Sequence, residues 1–159
     1  CPLCRTPIDI NKVHLIESEQ KKNQVEKNED DLPMKMDALI KYISENKHKR
    51  ILVFSEYGNT FKDTMNRFAE NNISYSLSNG SGYRIASIID KFKSGHFQVL
   101  LLNAQNFGAG LNLQFADDIL VYHRMSKDLE KQVIGRAQRL GRTVPLNITY
   151  LCHENEYPK

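Results

Sequence analysis

The chain has 159 residues, with Lys plus Arg 22 against Asp plus Glu 19 and 40% apolar residues, enough for one hydrophobic core of ordinary domain size and too little for two. A net charge of +3 makes no case for a polyanion-binding protein from bulk charge, so any such case must rest on local clustering. The longest uncharged stretch, Gln98 to Ala116, carries six amide side chains together with Gly108 and Gly110, which makes it a poor membrane span.

The chain starts at Cys1 with neither a Met nor a basic-then-apolar leader, so the expectation is a piece of a longer intracellular polypeptide rather than a secreted protein. Cys1 and Cys4 make a CxxC pair, and Cys152 is the third cysteine. An odd number with that spacing fits metal binding in a reducing compartment better than a disulfide framework. Residues 17–31, ESEQKKNQVEKNEDD, hold one apolar side chain, three Lys and six acids. Such a segment cannot bury a face and should stay solvated. The expected organisation is a short head over 1–16, a charged flexible linker over 17–32 and a folded domain over 33–159.

Within the domain, apolar residues recur at helical spacing in Met36, Leu39, Ile40 and Ile43, then in Phe61, Met65 and Phe68, then in Ile85, Ile88, Ile89 and Phe92. Short apolar or β-branched runs at 51–54, 73–77, 99–102, 119–122 and 146–151 have strand length. Alternation of such continuous apolar strands with helices predicts an α/β fold. It should have a parallel sheet of five or more strands with helices on both faces, and ligands beyond the carboxyl ends of the strands.

The loops at those ends are polar. Ser55-Glu56-Tyr57-Gly58 follows the first strand, and Ser78-Asn79-Gly80-Ser81-Gly82 follows the second and opens a helix. Backbone N–H groups there favour an anion, although Ser and Gly are also ordinary turn and cap residues. The third loop runs from Asn103 through Gly108, Gly110 and Asn112. Its glycines permit close backbone approach and its amides can hydrogen-bond phosphate or ribose, while a plain loop with Leu111, Leu113 and Phe115 dipping into the core is the alternative.

The sharpest signal is Gln132-Val133-Ile134-Gly135-Arg136-Ala137-Gln138-Arg139-Leu140-Gly141-Arg142, on a helix predicted to start after Ser126. Helical geometry would put Gln132, Arg136 and Arg139 on one stripe, beside an apolar face of Leu129, Val133, Ala137 and Leu140. From Arg124 to Arg142 there are six basic residues against two acidic. A solvated basic face would account for the arginines but not for Gly135 and Gly141 in or beside a helix. Guanidinium forks suit the oxygens of a transferring phosphoryl group.

Taken in order, ILVFSEY, NGSGYRIASIIDKF, VLLLNAQNFGAGLNL and QVIGRAQRLGRTVPLNITYL resemble the carboxy-terminal RecA-like lobe of a superfamily 2 helicase-like ATPase of Swi/Snf type, over residues 33–152. The resemblance implies arginine fingers at Arg136 and Arg139, nucleotide contacts from Gln132, Gly108, Gly110 and Asn112, and nucleic-acid backbone contacts from Ser55, Gly80, Ser81 and Asn103. It implies ATP and Mg²⁺ as cofactors and double-stranded DNA as partner. A first ATPase lobe of the same polypeptide would carry the phosphate loop and acidic Mg²⁺ box that this chain lacks, so the fragment alone should be inactive. Gln138 stands where that pattern usually has His, and Arg142 where it has Gln. The GRxxRxGR spelling is shared with DEAD-box RNA helicases, which keeps RNA as an alternative.

The head, CPLCRTPI, resembles the last ligand pair of a RING zinc finger, a chance CxxC being the alternative. It implies a Zn²⁺ half-site at Cys1 and Cys4 that is empty in this fragment, and a ubiquitin-conjugating enzyme as partner, with a RING-ligase scaffold as an alternative function. The whole resembles the divergent Swi/Snf-like proteins of large DNA viruses, which implies a nuclear, virion or replication-compartment location.

Overall fold

The structure, a computed structural model, describes residues 35–55, 57, 60–103 and 111–152. The expectations for the head, for the linker and for Cys1, Cys4, Gly108 and Gly110 lie outside the described residues. The element order is α1 (Lys35–Glu45), β1 (Ile51–Ser55), α2 (Thr60–Glu70), β2 (Tyr75–Ser78), α3 (Gly82–Lys93), β3 (Val99–Asn103), β4 (Asp118–Val121), α4 (Lys127–Ala137) and β5 (Asn147–Tyr150). The strands form one sheet in the order β2-β3-β1-β4-β5, and every neighbouring pair is parallel. This is the α/β architecture that the alternating pattern predicts.

Parallel pairing explains why the inner strands lack polar alternation: crossover helices cover both faces, so consecutive side chains are all buried. Every residue of β1 and β4 is buried, and four of five in β3. Ile51 and Val53 point to one face, packed with Leu39 and Ile43 of α1 and Phe61 and Phe68 of α2, while Leu52 and Phe54 point to the other with Phe92 of α3 and Val133 and Ala137 of α4. Full burial of one such Leu or Phe contributes about 1.5–3 kcal/mol. The edge strands β2 and β5 are mostly half-buried. Strand β2 starts at Tyr75 rather than at Ile73, because Asn72 turns the chain at φ 54 and the Ile73 N–H is bound to the Phe68 carbonyl at 2.9 Å.

The described part of the crossover into β4, residues 111–117, is coil, yet Leu113 and Ala116 are fully buried in the second core. This coil therefore occupies part of the layer that covers the sheet beside α4.

The amino edge of the sheet is closed by charge. Asp118, at the start of β4, is fully buried, and its carboxylate accepts from Tyr42 Oη at 2.7 Å, Lys49 Nζ at 2.9 Å and Asn147 Nδ2 at 2.9 Å. Three donors on one carboxylate offset the loss of water. Burial, then the bond to Asp118, pushes the Tyr42 phenol above its ordinary pKa of 10.0. Among the described residues no helix is long and apolar enough to cross a membrane.

Two outcomes follow. Asp118→Ala orphans three buried or half-buried donors and should lower unfolding free energy by about 2–4 kcal/mol, read as a shift of the urea midpoint. The raised Tyr42 pKa means that the folded state holds its proton where the unfolded chain has released it. Stability from this group is thus complete below pH 10.0 and falls as pH rises beyond it; Tyr42→Phe should flatten that alkaline decline in a pH series of thermal midpoints.

Candidate functional site

Parallel strands end together, so the loops after β1, β2, β3 and β4 share the carboxyl edge. Ser55 and Asn103 are direct partners in the β1–β3 register. The Ser55 side chain does not face outward: the residue is 0% exposed, and its Oγ lies 2.8 Å from His123 Nδ1 and 3.1 Å from both the Tyr57 carbonyl and the Tyr57 N–H. One hydroxyl proton serves either the Tyr57 carbonyl or His123 Nδ1; in the first case Nδ1 must itself donate. The Ser55 hydroxyl is thus engaged within the lobe. The His123 ring is wedged edge-on between Tyr57 at 5.0 Å and Tyr122 at 4.9 Å, and Tyr57 is 58% exposed.

Gly80 and Ser81 are exposed on the same edge. Gly80 has φ +102, a backbone conformation that favours glycine. Ser81 is the N-cap of α3 but makes no side-chain capping bond, and Tyr83 beyond it is 90% exposed. The turn and the first α3 N–H groups thus present backbone donors and a positive dipole end to the solvent.

The arginine run lies elsewhere. Helix α4 is capped by Ser126, whose hydroxyl accepts from the Leu129 N–H, and it descends along the sheet with Val133 and Ala137 buried. It ends at Ala137, because Gln138 leaves helical geometry at φ −89, ψ 88, and Gly141 at φ +90 turns the chain. The expected single stripe is therefore corrected: Gln132 and Arg136 share the helix, whereas Arg139 stands on the coil after it. The positive φ accounts for Gly141. Gly135 is exposed, and nothing lies within 4 Å of its would-be Cβ.

The coil after α4 and the coil leading to β4 are joined at successive points. The Leu113 N–H donates to the Arg136 carbonyl at 3.1 Å, and Arg139 Nη2 donates to the Leu111 carbonyl at 3.2 Å. Asn112 Oδ1 accepts from the Gln114 N–H at 3.2 Å, which leaves its amide as donor. Arg142 then makes four bonds to carbonyls: Nε to Val144 at 2.6 Å, Nη1 to Gln114 at 2.5 Å, and Nη2 to Ala116 at 2.7 Å and Pro145 at 3.2 Å. Burial lowers the Arg142 pKa, and Asp117 opposes that shift. Tyr150 Oη donates to Glu130, tying β5 to α4.

The structure thus brings Asn112, Arg136 and Arg139 onto one flank, and Ser55, Gly80, Ser81 and Asn103 to the carboxyl edge. Gln132 is exposed one helical turn before Arg136. Cationic and amide side chains on one flank are of the types that suit a polyphosphate. Among the described residues no cluster of three or more His, Cys, Asp and Glu could hold a metal ion. Sequence reasoning assigned no role to His123 or Arg142. The contacts of His123 with Ser55 and of Arg142 with Gln114 and Ala116 join residues 68, 28 and 26 positions apart, and no local pattern carries that information.

The model of the helicase conserved C-terminal domain matches residues 34–143, and the chain belongs to that family. It is 39% identical, over 98% of its length, to a putative helicase of Acanthamoeba polyphaga mimivirus, of which it spans 20%. Among solved structures it is similar to the C-terminal part of the Fun30 ATPase domain, with a TM-score of 0.68 and 23% identity over 76% of this chain and 41% of that one. The C-terminal domain of the DEAD-box protein Dbp5 gives a TM-score of 0.60 at 18% identity, over 76% of this chain and 71% of that one. The Hef helicase domain of Pyrococcus furiosus gives 0.59 at 22%, over 76% of this chain and 26% of that one. At those identities the structural likeness establishes the RecA-like fold.

Ser55→Ala should lower stability by about 1–3 kcal/mol, since it strips the Tyr57 N–H and His123 of a buried partner. Thermal unfolding against the parent chain checks this.

Proposed function

We propose that the chain is the second ATPase lobe of a nucleic-acid-dependent motor, a double-stranded-DNA translocase of Swi/Snf type. The observation that carries the reading is the joined flank, where Arg136 and Arg139 are fixed against the coil that bears Asn112. A γ-phosphate presented by a first lobe would meet two guanidinium groups whose backbones are already tied in place. Preorganised positive charge of this kind stabilises charge developing on a transferring phosphoryl group without reorganisation at the moment of reaction. Gly135 supports the reading, because nothing in this lobe demands a glycine that costs a helix about 1 kcal/mol relative to Ala, whereas a close approach from outside would.

In this reading Gln132, Gly108, Gly110 and Asn112 line the nucleotide side, and ATP with Mg²⁺ supplies the phosphoryl group and the counter-charge. The Gly80–Ser81 turn, Asn103 and the backbone at Ser55 would contact one nucleic-acid strand across the carboxyl edge. Nucleotide-driven closure of the two lobes would then move that strand, with the flank sensing ATP and the edge holding the polymer. Cys1 and Cys4 would complete a zinc-binding RING with ligands from the same polypeptide, and a ubiquitin-conjugating enzyme would be its partner. The motor would act where viral DNA is replicated or packaged, or in the nucleus. RNA is the second reading, favoured by the GRxxRxGR spelling that ends in Arg142.

In the full-length protein, Arg136→Ala and Arg139→Ala should each reduce nucleic-acid-stimulated ATP turnover by about 10³-fold or more, with a smaller effect on nucleotide affinity. Lys should rescue neither well, as it lacks the planar fork. Wild-type rates in both folded variants would return the arginines to a solvated basic face. Comparing stimulation by duplex DNA and by RNA separates the two polymer readings.

A further inference from the structure

We infer that Arg142 is a positioning residue for ATP hydrolysis: its guanidinium clamps the coil that bears Asn112 to the coil that bears Arg139. The inference rests on the ATPase reading of this flank. Neither coil is itself helix or strand, so neither has a regular ladder of backbone hydrogen bonds to fix it. Residues 111–117 are anchored to the core by Leu113 and Ala116, and the segment after α4 is held at its far end by β5. Those anchors fix each coil to the sheet but leave the gap between them set by few bonds.

Arg142 fills that role. Two of its four acceptors, Gln114 and Ala116, belong to the first coil, and two, Val144 and Pro145, to the second. The guanidinium therefore lies between the two segments with each side of its fork engaged. The Arg142 N–H also donates to the Arg139 carbonyl at 3.2 Å, so the clamp is directly continuous with the proposed finger. Five N–H donors in one plane make this possible. Lys would offer a point charge on a flexible stem, and Gln two donors on one nitrogen, enough for half of the acceptors.

Arg142 itself faces carbonyls and needs no contact with nucleotide. Its effect on chemistry would pass through the spacing of Asn112 and Arg139, where a displacement of about 1 Å costs on the order of 10²-fold in rate.

The test uses full-length protein, with folding of each variant checked by circular dichroism. Arg142→Ala should lower stimulated kcat by about 10- to 100-fold, leave KM for ATP within about threefold and speed amide hydrogen exchange across residues 111–116. Millimolar guanidinium ion should restore part of the rate to Arg142→Ala and ammonium should not; Arg142→Lys should resemble Arg142→Ala, with Arg142→Gln between it and the parent. Wild-type kcat in Arg142→Ala, full recovery by Lys, or unchanged exchange across 111–116 would overturn the inference. If Arg136→Ala and Arg139→Ala lose turnover while Arg142→Ala keeps it, the clamp role alone fails. If all three keep wild-type turnover, the ATPase reading of the flank fails with it.

Discussion

The structure depends on one constraint: β1 is buried on both faces and both edges. Its residues Ile51 through Ser55 sit between β3 and β4, with α1 and α2 on one side and α3 and α4 on the other. A strand so placed must be continuous in apolar character until its last residue. There Ser55 is the point at which the core yields to polar chemistry, and its hydroxyl must find partners inside. It finds them in His123 and the Tyr57 backbone. Because all strands run the same way, each crossover returns to the same amino edge, and the carboxyl edge is left to loops.

The two edges handle charge in opposite ways. At the amino edge Asp118 is buried and saturated by Tyr42, Lys49 and Asn147, an arrangement that uses polarity to fix the sheet and leaves little to bind a ligand. At the carboxyl edge the Gly80–Ser81 turn keeps its backbone donors exposed, and Ser81 makes no side-chain capping bond. A saturated carboxylate and an exposed turn thus stand at opposite edges of the sheet, at the start of β4 and after β2.

Much of this is legible from residue pattern. Continuous apolar runs disclose a two-sided parallel sheet, and the 3.6-residue spacing discloses the helices, because burial of a face is a local periodic property. The end of α4 is not legible in the same way. Val133, Ala137 and Leu140 keep the apolar period going, yet Leu140 is 80% exposed, since the helix stops at Ala137 and the turn at Gly141 swings Leu140 out of the core. Gly141 was the available signal, as a glycine just past an apolar period marks a helix end. The direction of the Ser55 side chain is not legible for a different reason: a serine after a strand can point either way, and the partners that turn it inward include His123, far along the chain.

The arginine run shows most clearly where pattern and structure part. Arg136, Arg139 and Arg142 look equivalent in sequence, spaced three apart in a basic segment. In the fold they differ in every respect that governs chemistry. Arg136 rides on the last turn of a packed helix, with its carbonyl taken by Leu113. Arg139 stands on coil, with one nitrogen on Leu111 and further donors available to an outside group. Arg142 directs its nitrogens to four carbonyls of its own lobe. The number of internal acceptors therefore rises along the run as distance from the helix grows. An arginine with donors to spare can offer its charge to an outside group, while one whose fork is engaged by its own lobe is committed to holding that lobe together, so residues that look alike in sequence are set apart by the acceptors the fold supplies.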